Sequence, residues 1–196
     1  MVYVGLLVWV SVCVVIGVYT LASHLLTLPA PATSDAVLHR GIAAHRRIDQ
    51  RDRWLVLHVV FDECACSQRV LEHLLAVTPT PGVPERIVLV TEHPATTEGV
   101  VAAAKTRGFD VEVVVPDQLV DDYHIEAAPL LVIVDPHDDV RYVGGYTLRQ
   151  QAADIRDRAV IAATLRGEAV TPLPTFGCAV GRSLKSKLDP LGLRRN

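Results

Sequence analysis

The chain has 196 residues, a formal net charge of −3 and 50% hydrophobic residues. That length suits one domain of ordinary size with extensions. The near-neutral charge gives no sign of a nucleic-acid binder, and four cysteines are too few for a disulfide-dense mini-scaffold.

The charge is unevenly spread: no Asp, Glu, Lys or Arg precedes Asp35. Val2 to Leu28 is almost continuously apolar, with His24 its one strongly polar side chain and Cys13 a small apolar position within it. About 20 apolar residues suffice to cross a bilayer as a helix, so residues 1–28 are expected to form a transmembrane anchor. The Ala30-Pro31-Ala32 pattern leaves a cleaved signal peptide as the alternative. Tyr3 and Tyr19 fall at plausible interfaces. Arg40, Arg46 and Arg47 follow the run closely, which by charge bias places the rest in the cytoplasm.

Residues 29–53 read as a stiff Pro-Ala linker and a short helix anchored by Leu38, Ile42 and Ile48. A regular alternation follows. Trp54–Phe61 is a buried strand, Ser67–Val77 has helical apolar spacing, and the proline-rich stretch from Thr78 to Pro84 breaks it. Arg86–Thr91 is a second strand, Ala95–Arg107 a helix ended by Gly108, and Asp110–Val115 a third strand. Leu130–Val134 and Val140–Tyr146 form a hairpin across Asp135–Asp139. Leu148–Arg166 is a long amphipathic helix closed by Gly167, and 168–196 is a tail. Strands joined by helices are parallel and strands joined by a tight turn antiparallel, so the order predicts an α/β domain over 54–167: a mixed central sheet flanked by helices.

The chemistry concentrates at Phe61-Asp-Glu-Cys64-Ala-Cys66-Ser67, between a buried strand and the next helix. Thiols at a helix start meet backbone N–H groups and the helix dipole, which favour a thiolate. Asp62 and Glu63 act against that charge. Cys64, nearer the turn, is expected to be the more exposed thiol and Cys66 the more covered. Cys178, in Pro174-Thr-Phe-Gly-Cys-Ala-Val-Gly181, is either a third redox thiol or a buried small residue. His58 reads as a satisfied core residue, His73, His93 and His137 as solvated, and His124 as a candidate neighbour of the cysteines. The basic end (Arg182, Lys185, Lys187, Arg194, Arg195) is a solvated tail or a contact for anionic lipid. No Walker loop, Gly-x-Gly-x-x-Gly, His-Glu-x-x-His or Gly-x-Ser-x-Gly pattern is present.

The redox turn, together with Tyr123-His-Ile-Glu-Ala-Ala128-Pro129-Leu-Leu-Val-Ile-Val-Asp135 and Val140-Arg-Tyr-Val-Gly-Gly-Tyr146, resembles the thioredoxin-like superfamily over about Trp54 to Arg166. The resemblance implies a cis bond at Ala128–Pro129, with that proline facing the cysteines and helping to bind substrate chains. The chain departs from the family in having Cys-x-Cys, with Ser67 where the second cysteine of Cys-x-x-Cys would stand. It implies a membrane-tethered thiol–disulfide oxidoreductase or isomerase acting on cysteines of other proteins, with Cys64 attacking, Cys66 resolving, Cys178 a third thiol, and no cofactor. A disulfide-capable pair persists best in an oxidising compartment, which argues for the non-cytoplasmic, periplasmic or extracellular face, against the arginine bias. The alternatives are a Cu(I)-binding module in which Cys64 and Cys66 act with a histidine such as His124, and a redox-inert scaffold of the same fold.

Overall fold

A computed structural model describes residues 2–25, 27–150 and 153–189, with the side chains of the first segment described over 3–18. The leader is helix α1, Val2–Leu25, and its side chains over 3–18 are exposed. Among the described residues no helix is long and apolar enough to cross a membrane, which corrects the span expected over 1–28. Tyr19 and His24 have side chains outside the described residues.

The domain follows the alternation read from the sequence. In chain order it comprises α2 (Ala36–His45), β1 (Leu55–Phe61), α3 (Ala65–Ala76), β2 (Glu85–Val90), α4 (Glu98–Thr106), β3 (Asp110–Val114), α5 (Pro116–Tyr123), β4 (Ala127–Ala128), β5 (Leu130–Val134), β6 (Val140–Gly144), α6 (Asp157–Leu165), β7 (Cys178–Ala179) and α7 (Arg182–Leu188). Five strands form one sheet in the order β3-β2-β1-β5-β6. The helix-linked pairs are parallel, Val59 lying opposite Val88 and Val88 opposite Glu112. β5 runs antiparallel to both β1 and β6.

β1 and β5 are buried throughout, and their side chains alternate between two cores. Leu57, Val59, Phe61, Leu130 and Val132 meet Leu38 and Ile42 of α2 and Leu119 and Tyr123 of α5. Val56, Val60, Leu131 and Ile133 meet Val70 and Leu74 of α3, Ala104 of α4 and Ile161 of α6. Helices therefore cover both faces. At Gly41 of α2 an added Cβ would lie 1.9 Å from the Asp122 carbonyl oxygen, so α2 meets the end of α5 backbone to backbone. Asp35 caps α2 by accepting the Val37 and Leu38 N–H groups, both at 2.9 Å.

Two sequence expectations change. α5 was not anticipated: it spans eight residues with Pro116 at its start, too short to show a periodicity. The long helix expected from Leu148 begins instead at Asp157. The Arg156 N–H donates to the Tyr146 carbonyl at 2.9 Å, tying the chain back to the end of β6; residues 151–152 lie outside the described residues. Gly108 and Gly167 follow α4 and α6 with positive φ, +94° and +75°, as helix-terminating glycines do.

One buried polar network fastens this frame. His58, fully buried in β1, is hydrogen-bonded through Nδ1 to the Tyr146 hydroxyl and through Nε2 to Glu85, both at 2.9 Å. Glu85 also receives Arg158 at 2.8 Å and the Thr80 N–H at 2.6 Å. Burial pushes the Glu85 carboxyl up, but His58 and Thr80 outweigh it and hold it down at about 2. His73, expected in solvent, is instead half-buried and paired with Asp157 at 3.0 Å.

Because the Glu85 carboxyl is depressed in the folded state, its contribution to stability is present above the ordinary carboxylate range near ~4.3. It is lost as pH falls toward about 2. His58→Phe removes one of its buried partners and is expected to lower unfolding free energy by about 2–3 kcal/mol at neutral pH, with the deficit shrinking under acid. Urea denaturation of both proteins across that pH range checks the sign.

Candidate active site

The site forms where β1 stops. The Cys64 N–H donates to the Phe61 carbonyl at 3.0 Å, closing a tight turn over Asp62 and Glu63. The Cys64 carbonyl accepts the Gln68 N–H at 2.8 Å as the first bond of α3. Cys64 is therefore the N-cap residue of α3, with extended backbone, φ −107° and ψ 117°. Cys66 sits in the first turn of that helix. The third sulfur comes from far away in sequence: β7 pairs antiparallel with β4, placing Cys178 opposite Ala128. The Ala128–Pro129 bond is cis, as the resemblance implied, and the Cys64 sulfur lies 3.9 Å from the Ala128 carbonyl oxygen.

The exposure expected of the two neighbouring thiols is reversed. Cys64 is fully buried in the core on the α2 and α5 side of the sheet, whereas Cys66 and Cys178 are partly exposed and pack against that core. Since Phe61, three residues earlier and at the other end of the turn, is itself fully buried, the turn delivers Cys64 inward. Cys66 is carried by α3, whose outer face is open.

The three thiols lie close together, and each alters where the others hold their protons. Cys178 and then Cys66, beside the Cys64 sulfur, favour its thiolate and hold its thiol well below the ordinary range, against the burial that opposes them. The Ser67 backbone N–H and hydroxyl face the same sulfur and act in the same direction, and that buried hydroxyl has no hydrogen-bond partner of its own. Lying beside Cys64 raises the Cys66 and Cys178 thiols above the ordinary range, and burial adds to both shifts. Arg69 beside Cys66 and Lys185 beside Cys178 work weakly the other way. Asp62 and Glu63, expected to oppose a thiolate, are not among the principal influences on Cys64. The arrangement favours charge on Cys64 and protons on Cys66 and Cys178, the distribution that suits a nucleophile with resolving partners at hand.

The sequence reading had already singled out Cys64, Cys66, Cys178, Ala128 and Pro129, and all five come together. It missed Ser67, Arg69 and Lys185 as influences on the thiols. The three-residue spacing of Ser67 from the capping position was the one available signal. His124 does not join the site. It ends α5 in the left-handed region, φ 55°, and its Nδ1 is hydrogen-bonded to Asp35 at 2.7 Å. Among the described residues no three His, Cys, Asp or Glu side chains are arranged to hold a metal ion, so no histidine completes the Cu(I) set considered from sequence. Of the basic end, Lys185 lies over the Phe61 ring at 5.2 Å and Arg182 pairs with Asp117; Arg194 and Arg195 lie outside the described residues.

No protein-family model and no curated protein matches the chain. Among solved structures, it is similar to a hypothetical protein of Sinorhizobium meliloti 1021 at 19% identity, TM-score 0.53, over 67% of this chain and 80% of that one. It is also similar to an uncharacterized conserved protein of Geobacillus kaustophilus at 18% identity, TM-score 0.54, over 80% and 90%. The thioredoxin domain of a thiol-disulfide oxidoreductase of Bacteroides vulgatus overlaps less, at 15% identity and TM-score 0.39, over 47% and 69%. The mixed α/β fold itself fits the thioredoxin-like arrangement expected from the sequence. Its marks are the β3-β2-β1-β5-β6 order, the helix launched from the end of β1, and the cis proline leading into β5.

A thiolate on Cys64 should persist in ultraviolet absorbance well below the ~8.5 of a free thiol. Cys178→Ala removes the neighbour that favours it most and should raise that midpoint more than Cys66→Ala does. Equal midpoints in all three proteins would contradict the assignment.

Proposed function

We propose that the protein is a thiol–disulfide oxidoreductase acting on cysteines of other polypeptides. The observation that carries this reading is the convergence of three thiols at the start of α3, beside the cis Ala128–Pro129 bond. The Cys64 thiolate attacks one sulfur of a substrate disulfide. A new S–S bond forms, the substrate S–S bond breaks, and the other substrate sulfur leaves as a thiolate that takes up a proton. Cys66, in the same turn, then gives up its proton and attacks the Cys64 sulfur, releasing the second substrate thiol. Two electrons have passed from the protein dithiol to the substrate, and a Cys64–Cys66 disulfide remains. An external dithiol restores it by the same exchange, and the reverse sequence oxidises a substrate dithiol.

The same proposal places the dithiol on the non-cytoplasmic side, where a cycling disulfide is sustained, and its support is the uncharged apolar leader from Val2 to Leu28.

Division of labour gives the test. Cys64→Ser should lower the rate of exchange with a disulfide-bonded protein by at least ~10³-fold. Cys66→Ser should keep the attack and accumulate mixed disulfides through Cys64, visible on non-reducing gels. If Cys178→Ser accumulates them instead, Cys178 is the resolving thiol. If no cysteine substitution changes exchange, the oxidoreductase reading falls.

A further inference from the structure

One short ladder joins the tail to the edge that carries Pro129. Ala127 lies opposite Ala179 and Ala128 opposite Cys178, and just beyond them the Val180 N–H donates to the Glu126 carbonyl at 2.7 Å. β4 takes no part in the five-stranded sheet. Its ladder partner is this piece of the chain itself.

The side chains of that piece are used as a bound strand's would be. Alternate residues share a face, and both inward ones are engaged: Cys178 packs against the core that holds Cys64, and Val180 fills a fully buried position in the same core. Gly177 lies against the site so closely that an added Cβ would be 1.9 Å from the Ala128 oxygen and 2.6 Å from Pro129 Cδ. Phe176 closes what is left: the cleft it lines with Cys66, Arg69 and Pro129 measures only ≈ 30 Å³, room for about two waters. With the tail in place, Cys64 is sealed from solvent.

On either side the tail has ties of its own. The Tyr142 hydroxyl accepts the Leu173 N–H at 3.1 Å, and Leu173 and Thr175 accept the Gly145 and Leu28 N–H groups at 2.9 and 2.8 Å. Downstream, α7 is held by buried Leu184 and by Lys185 over Phe61. Between these ties, 176–181 is held by a two-residue ladder, by the Val180 and Gly181 N–H groups on the Glu126 carbonyl and by buried Val180, a short pairing of the kind that opens locally. A strand exchanged for another strand recovers the same main-chain bonds.

We propose that residues 176–181 are an internal stand-in for substrate, occupying the β4 edge and presenting Cys178 to Cys64, and that an extended segment of the order Gly-Cys-x-Val displaces them strand for strand. This rests on the exchange reading of Cys64 and adds to it a gate and a substrate preference. The incoming segment needs a residue without a Cβ before its cysteine, because of the Ala128 oxygen and Pro129. It needs a branched apolar residue two positions after the cysteine, to refill the Val180 position. Substrate entry and uncovering of Cys64 are then one event.

The test uses the full chain and Gly177→Val, whose side chain cannot fit against Ala128 and Pro129. The probes are iodoacetamide and peptides carrying the sequence of residues 174–181, with the cysteine as a mixed disulfide with free cysteine. In Gly177→Val that keeps its cooperative thermal transition, alkylation of Cys64 should rise by about tenfold or more, and exchange with the Gly-Cys-Ala-Val peptide should rise with it. A peptide with Val in place of that Gly should react about tenfold more slowly. Unchanged alkylation in the folded variant overturns the gate, and equal rates for the two peptides overturn the preference. If alkylation rises but neither protein exchanges with either peptide, the gate stands and the oxidoreductase reading fails. If Gly177→Val does not fold, the wild-type chain decides: an excess of the peptide with Ser for Cys should speed hydrogen exchange at the Val180 amide, and unchanged protection there overturns the proposal.

Discussion

The place where β1 ends governs the rest of the site. β1 is paired parallel to β2 on one side and antiparallel to β5 on the other, and both its faces are covered. A strand so enclosed can move neither sideways nor in register without turning its whole apolar set to the wrong core. Phe61 is thereby fixed, the turn after it is short, and the capping position of α3 falls on Cys64. β5, held by the same strand, starts one residue after Pro129, so the proline and the thiol face each other through the pairing of two neighbouring strands.

Around that fixed point the chemistry is a competition between burial and hydrogen bonding. A buried sulfur resists carrying charge, and Cys64 is fully covered. Two neighbouring thiols together with Ser67 overcome that resistance. The same proximity favours protons on Cys66 and Cys178. The thiols are therefore one titrating unit, in which the charge on one sulfur is supported by the protons on the others.

The opposite side of β1 carries a second polar investment of a different kind. His58, Glu85 and Tyr146 sit beneath α6 and meet its Arg158 in one chain of hydrogen bonds. Such a network tolerates few alternative arrangements, because each displaced member leaves a buried group unpaired. It fastens β1 to β2 and to the chain leaving β6, which steadies the strand from which the site is built.

The alternation of strands and helices, the redox turn and the proline before β5 were legible in the sequence, because each is a local pattern: apolar period, breaker residues, cysteines at a strand-to-helix junction. So were the identities of the three thiols. Local pattern also has limits. α5 is too short to carry a period, and the start of α6 is set by a backbone bond to Tyr146 rather than by its own residues. The exposure of Cys64 and Cys66 was read in the wrong order because sequence gives distance along the chain from a turn, and not the side from which the turn is covered. What covers it is a strand more than a hundred residues later, and only folding brings Cys178 opposite Ala128. The sequence alone determined that thiols stand at the mouth of a helix; the tertiary structure decided which of them is buried and which its neighbours favour as a thiolate, since both properties depend on residues that no local spacing specifies.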